Sequence, residues 1–363
     1  MALPVPGLVF WIDLAISFGI YLIISLSLNL EFGYAGISNF GKVVAVAGGA
    51  FAVGFFPGRV MASFLGIDLP YAGGNIYDIV PQINNFLKGN PGIALALFFA
   101  TLGIAAIVGA ALGFVASYPA IRLREDYLAM ILIAMGEAFR IIFKNYQSYT
   151  IDSPSGEKVP DPFRWAGGFR YEASALLILG IAFVVLLYLE FSVRSPLGRM
   201  LRATRDNEDV AESLGKDVTR TRMKTIMIAS AIAAIGGALY AFNTGNVVAS
   251  GYTRASWTFW PWLIVIIGGA ANNMGVMLGT FTYVAFKRFI SFYKEQLAFV
   301  PFEVIWLDYL LLGIVLILIQ MYRPGGIIPE KPTSTLSSKK LEEIVGSGRA
   351  VSSSKREDSR SEG

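Results

Sequence analysis

An all-α protein that crosses the membrane many times is what this sequence predicts, and three observations predict it. Of the 363 residues, 55% are hydrophobic and 15% are charged, and the mean hydropathy of +0.57 is far too high for a soluble domain. The apolar residues fall into runs approaching the roughly 20 that a membrane-spanning helix needs. Those runs are separated by glycines and charge clusters, not by the short alternating stretches of a transmembrane barrel. The pattern predicts about nine spans, within a range of about eight to ten.

The first span covers residues 7–30, rich in Ile, Leu and Phe. It has no basic leader and no small-residue cleavage site, so it reads as a retained span and not a signal peptide. The second, 37–56, carries Gly41, Gly48, Gly49 and Gly54, which suit either close helix contact or a broken, re-entrant segment. Residues 57–91 are too polar to span and read as a loop with room for a surface helix. The third span, 93–118, holds Gly109 and Gly113 in a GxxxG pair, a signature of close helix packing. The fourth is 127–143, followed by a Pro- and Gly-containing loop over 144–172. The fifth, 173–191, leads into a charged stretch, and the sixth, 225–243, leaves it. In the sixth, Ala229, Ala233, Gly237 and Ala241 recur every four residues, a small-residue face suited to the interior of a bundle. The seventh and eighth, 257–270 and 276–292, are joined by a GGAANNMG turn, and the ninth is 305–322. The membrane domain thus covers 1–323. Residues 324–363 are a Ser, Lys and Glu mixture, expected to be a disordered tail.

The charged stretch RSPLGRMLRATRDNEDVAESLGKDVTRTRMK, 194–224, holds eight Lys/Arg and five Asp/Glu. Basic residues this close to two spans assign the stretch to the cytoplasm, and the C-terminus with it. Asp206 and Asn207 suit helix N-caps, Glu208 and Asp209 complement a first turn, and Gly215 suits a left-handed C-cap. Between them, Val210, Ala211 and Leu214 form a small apolar patch that a partner could cover.

Glu137 and Arg140 lie three apart inside the fourth span. Lipid exposure would cost at least about 2.5 kcal/mol each, so they should face protein or water. They are candidates for a pathway or gating pair, or for a structural ion pair. Asn29 and Lys42 are polar groups near the first two spans, either pathway-lining or interfacial.

The chain has no Cys and no His, which removes disulfides, thiol chemistry and the usual transition-metal sites. No cofactor or metal is expected. There is no phosphate-binding GxxxxGK[ST] loop; SLGKDVT lacks its upstream Gly and the hydroxyl after Lys. No Ser/His pair or catalytic constellation is present, so the chain reads as a non-enzyme, and no basic face with aromatics suggests nucleic-acid binding.

Taken together, SLNLEFGYAGISNFGK (27–42), IRLREDYLAM (121–130) with Glu137 and Arg140 beyond it, the 195–224 stretch, IGGALYA (235–241) and VIIGGAANNMGVMLG (265–279) resemble the membrane permease subunit of branched-chain amino-acid ABC importers. The resemblance is closer to the M-type member than to its H-type sibling, and its motifs run in order from about residue 27 to 324. It implies an importer permease bundle in the cell membrane, with a sibling permease, two cytoplasmic ATP-binding subunits that hydrolyse the ATP, and an extracytoplasmic solute-binding protein. It also implies that Glu208, Val210, Ala211, Leu214 and Gly215, preceded by Asp206, form the coupling helix that docks on the ATPase, with Val210 in place of the first Ala of an E-x-A-A-x-x-L-G pattern. Lys42 stands where the family often has His, and the outer loop 150–156 departs from the usual Gly-rich pattern. Related permeases carry urea and short amides. A stand-alone secondary transporter or channel using Glu137 and Arg140 is the alternative outside the family.

Overall fold

The computed structural model describes residues 7–67, 76–123, 125–145, 157–293 and 304–330. Helix α1 (Leu8–Leu28) runs directly into a π-helical turn, Asn29–Tyr34, and is followed by α2 (Lys42–Phe64), α3 (Ile76–Gly89), α4 (Pro91–Arg122) and α5 (Glu125–Asn145). A short strand β1 (Glu157–Lys158) and a 3-10 turn, Arg164–Phe169, precede α6 (Arg170–Arg194). Then come α7 (Pro196–Asp206), α8 (Glu208–Ser213), α9 (Val218–Thr244) and β2 (Asn246–Val247). A second π-helical turn, Ala255–Phe259, continues into α10 (Trp260–Gly268), and α11 (Asn273–Phe292) and α12 (Val304–Tyr322) complete the order.

Helix α9 is the axis, and its small side chains are the reason. Ala229, Ala233, Gly237 and Ala241 are all buried. A Cβ on Gly237 would collide with the Val46 carbonyl of α2, and one on Gly49 of α2 with the Ala234 carbonyl of α9. On the other side, a Cβ on Gly109 of α4 would lie 2.6 Å from the Ser230 carbonyl, and one on Gly113 2.7 Å from the Ser230 Cβ. The α2–α9–α4 packing therefore brings backbone against backbone, which maximises dispersion contact where no water-driven term separates helix from lipid. Helix α1 closes a third side, with Ile24 against Gly236. At the end of the bundle where α9 terminates in left-handed Gly245 (φ +67°), β1 and β2 pair antiparallel, Glu157 opposite Val247 and Lys158 opposite Asn246. There α3 rests its Ile83 and Leu87 on Met61 and Ala62 of α2.

Five helical stretches are long and apolar enough to cross a membrane: Leu8–Tyr34, Lys42–Phe64, Pro91–Pro119, Arg164–Arg194 and Val218–Thr244. A sixth follows if Ala255–Gly268 and Asn273–Phe292, bent by 119° at their junction, count as one span. On length and composition alone, the described residues give five or six crossings; about nine are reached only if α5, α12 and both halves of the bent pair also cross. The expected seventh and eighth spans are that bent pair. Helix α5 is not among the five because every 18-residue stretch of it carries Glu137, Arg140 and at least one of Asp126 and Lys144.

Two readings of the connecting segments change. From Lys42 onward the glycine-rich segment 37–56 lies in one unbroken helix that passes through Pro57 to Phe64; Gly49 serves contact with α9 and Gly48 contact with α4. The expected 57–91 loop accordingly contains the end of α2 and all of α3. Past Pro324 the chain also stays packed: Ile327 and Ile328 N–H groups donate to the Ile267 and Gly268 carbonyls at 2.9 and 3.0 Å, and the compact unit extends to Pro329. Residues 331–363 and the loop 150–156 lie outside the described residues.

Candidate functional site

The charged stretch folds as three capped pieces. Ser195 caps α7 by accepting from the Leu197 N–H at 3.2 Å, with Pro196 at the first helical position. Asn207, not Asp206, caps α8, accepting from the Val210 N–H at 3.1 Å; Asp206 is the last residue of α7. Helix α8 ends in left-handed Gly215 (φ +75°), whose N–H donates to the Glu212 carbonyl at 2.9 Å while the Lys216 N–H donates to Ala211 at 3.1 Å, a Schellman closure. Asp217 then caps α9.

This clamps α8 in place and divides its apolar patch. Ala211 is 2% exposed and packs inward, whereas Val210 and Leu214 are 53% and 73% exposed, four residues apart on one outward edge. Glu208 pairs with Arg222 of α9. From α7, Arg205 donates to the Gly33 carbonyl and Arg202 lies over the Tyr34 ring at 5.5 Å, so the charged stretch grips the first π-helical turn.

That turn is the polar centre of the bundle. Glu31 and Lys42, both fully buried, pair at 2.8 Å, and Asn39 donates to the other Glu31 oxygen at 3.2 Å. The Thr258 hydroxyl accepts from the Val43 N–H at 3.1 Å, and the Trp262 indole donates to the Asn39 carbonyl at 3.2 Å while stacking on Phe40 at 4.4 Å. One turn back, Asn29 accepts from the Ala271 N–H at 2.9 Å and donates to Asn273 at 3.0 Å; Asn273 in turn donates to Glu190 of α6 at 3.0 Å. Ala271 sits at φ +59°, a conformation that costs an alanine about 1–2 kcal/mol and is held by the Asn29 bond. The turn between α10 and α11 is therefore fastened to the first π-helical turn.

The second polar group lies on α5. Glu137 pairs with Arg140 and, at 3.3 Å, with Arg254, the residue just before the second π-helical turn. Their side chains are 29%, 34% and 37% exposed. Lys42 and Asn29 thus join the turn beneath the charged stretch, whereas Glu137 and Arg140 form a separate group; Gly109, Gly113, Ala233 and Gly237 lie in the α9 packing. Glu31, Asn39, Glu190, Arg254, Thr258 and Asn273 are the partners that sequence reading missed. An acid eleven residues before a base, each beside an apolar span, was the available signal for Glu31 and Lys42; the others are brought in from distant segments and leave none. Among the described residues no cluster of three or more potential ligands could hold a metal ion.

Comparison with known proteins places these features in a family context. The profile described as "Branched-chain amino acid transport system / permease component" matches residues 10–320. The chain is 41% identical over 334 residues to the probable branched-chain amino acid transport permease protein LivM of Methanocaldococcus jannaschii, covering 91% of this chain and 96% of that protein. It is 26% identical over 343 residues to the high-affinity branched-chain amino acid transport system permease protein LivM of Salmonella typhimurium, covering 88% and 70%. A shorter match of 25% identity over 137 residues, 36% of this chain and 39% of the other, joins it to the probable branched-chain amino acid transport permease protein LivH of M. jannaschii. No solved structure matches the chain.

Proposed function

The chain belongs to the family of branched-chain amino acid permease components, and from that membership we propose that it is the membrane subunit of an ATP-driven importer of branched-chain amino acids. A sibling permease completes the translocation unit, as the partial likeness to LivH suggests. Two cytoplasmic ATP-binding subunits and an extracytoplasmic solute-binding protein supply energy and solute. Nine passes, with α5, α10, α11 and α12 each counted, put the N-terminus outside and the 194–224 stretch and C-terminus in the cytoplasm, in accord with the eight basic residues there.

The observation that carries the coupling role is the outward edge of Val210 and Leu214 on a helix otherwise fixed to its own chain. An ATPase groove that covers this edge moves α8 when it closes. The displacement reaches α9 through Glu208 and Arg222, and the first π-helical turn through Arg205. The ligand must contact the two states differently for work to be transmitted. Ala211 supports α8 from within.

The test is Val210→Asp together with Leu214→Asp in the tagged chain. Both positions are exposed, so the variant is expected to reach the membrane intact but recover little ATPase subunit on mild purification, and to lose uptake at least tenfold. Wild-type recovery and uptake would refute the docking role, and recovery of the unsubstituted chain with no partner would refute the importer.

A further inference from the structure

The group on α5 holds more positive charge than an ion pair requires. Arg140 uses Nε and Nη2 on one oxygen of Glu137, and Arg254 uses Nε on the other at 3.3 Å. Two guanidiniums on one carboxylate leave a surplus of one positive charge. Among the described residues, Nη1 of Arg140 and both terminal nitrogens of Arg254 have no protein acceptor. The second cation comes from a different part of the chain, although Arg140 alone already pairs with Glu137.

The group also sits midway along α5. Glu137 is twelve residues into the 21-residue α5, about 18 Å along its axis, and Gly136 beside it packs on Val43, at the start of α2. Three charged side chains, each about a third exposed at this depth, cannot face hydrocarbon without the penalty stated for such groups, so this wall faces water, solute or the sibling subunit. Exposed Ile141 lies one turn beyond Glu137 on α5, and exposed Phe259 lies five residues after Arg254, at the end of the second π-helical turn. Each element that carries a guanidinium thus also carries an exposed apolar side chain within about one turn of the charged group.

We propose that Arg254 and Arg140, oriented by Glu137, form a subsite for the carboxylate of the passing solute, with Phe259 and Ile141 flanking its aliphatic part. Guanidiniums suit this because their planar donors match a carboxylate pair of oxygens. Glu137 limits the surplus to one charge, so the anion is drawn in without being held as it would be by two unpaired cations. The proposal rests on the importer reading and adds to it that α5 lines the pathway.

The absence of native cysteine makes the test clean. Ile141→Cys, 47% exposed, is introduced into the full chain purified with its partners. Its modification rates are measured with a negatively and a positively charged methanethiosulfonate. The anion-to-cation rate ratio is expected to fall several-fold on adding Arg254→Gln, since losing one nearby positive charge acts on the two reagents with opposite sign, and to rise on adding Glu137→Gln. Isovalerate, a carboxylate without an ammonium, should slow modification, and isoamylamine should not. A ratio unmoved by either substitution, or equal protection by both compounds, overturns the carboxylate subsite while leaving the pathway assignment standing. A cysteine that reacts with neither reagent overturns the pathway assignment itself.

Discussion

Removing one member of the Glu31–Lys42 pair should destabilise the protein more than removing both. Each side chain is fully buried, the separation is 2.8 Å, and among the described residues the one other side-chain partner of the pair is Asn39 on Glu31. Lys42→Met leaves a carboxylate buried with a single neutral donor, and breaking a buried pair in this way costs about 3–5 kcal/mol. In the double variant with Glu31→Gln no charge remains, Asn39 can still donate to the amide oxygen, and the penalty falls to that of an imperfectly paired amide, about 1–3 kcal/mol. Unfolding free energies are measured in mixed micelles by detergent titration. Trp262 is a local reporter, since its indole is bonded to Asn39 and stacked on Phe40. The expected order is wild type, then the double variant, then Lys42→Met. Lys42→Met costing under about 1 kcal/mol, or a double variant as unstable as the sum of the singles, would refute a charge pair desolvated as the geometry implies.

Other substitutions probe other levels of the fold. Gly237→Val, forced against the Val46 carbonyl, should lower stability by about 1–3 kcal/mol or more, while Gly180→Val, with open space around it, should stay within about 0.5 kcal/mol; thermal unfolding in detergent separates them. Asn207→Ala should loosen α8 by about 1 kcal/mol, seen as faster amide exchange at Val210, and Asn207→Asp should restore protection. Asn29→Ala removes the acceptor for the Ala271 N–H and the donor to Asn273. It should cost about 1–3 kcal/mol and slow uptake, whereas equal stability and uptake would show that the α10–α11 turn holds its shape unaided.

How far such features can be read in advance depends on whether their cause is local. The four-residue spacing of Ala229 to Ala241 is a property of one helix, and the chain does bury that face. The left-handed Gly215 closure is equally local. The sidedness of α8 was not legible, because six residues are too few to establish a period, and only the packing of α7 and α9 turns Ala211 inward while leaving Val210 and Leu214 outside. The extension of α2 through Pro57 was hidden by a residue that normally interrupts helices. Arg254 lies in a polar connection with nothing in its neighbourhood to single it out; its partner is more than one hundred residues earlier. The turn between α10 and α11 was visible as a glycine- and asparagine-rich break, but its 119° bend reflects its attachment to Asn29.

The close seating of α9 between α2 and α4 also has a mechanical consequence. Glycine against carbonyl leaves no compressible layer, so these three helices cannot slide or tilt independently without losing contact along their length. Helix α9 has 27 residues, making a rod about 40 Å long, and Arg222, its tie to α8, lies in its second turn. A tilt of about 5° pivoting at that end would carry the Gly245 end through about 3.5 Å, roughly the width of a methyl group. The bundle is geared: a movement too small to disturb the capped helix beneath it becomes, at the opposite end, a displacement on the scale of the solute's own side chain.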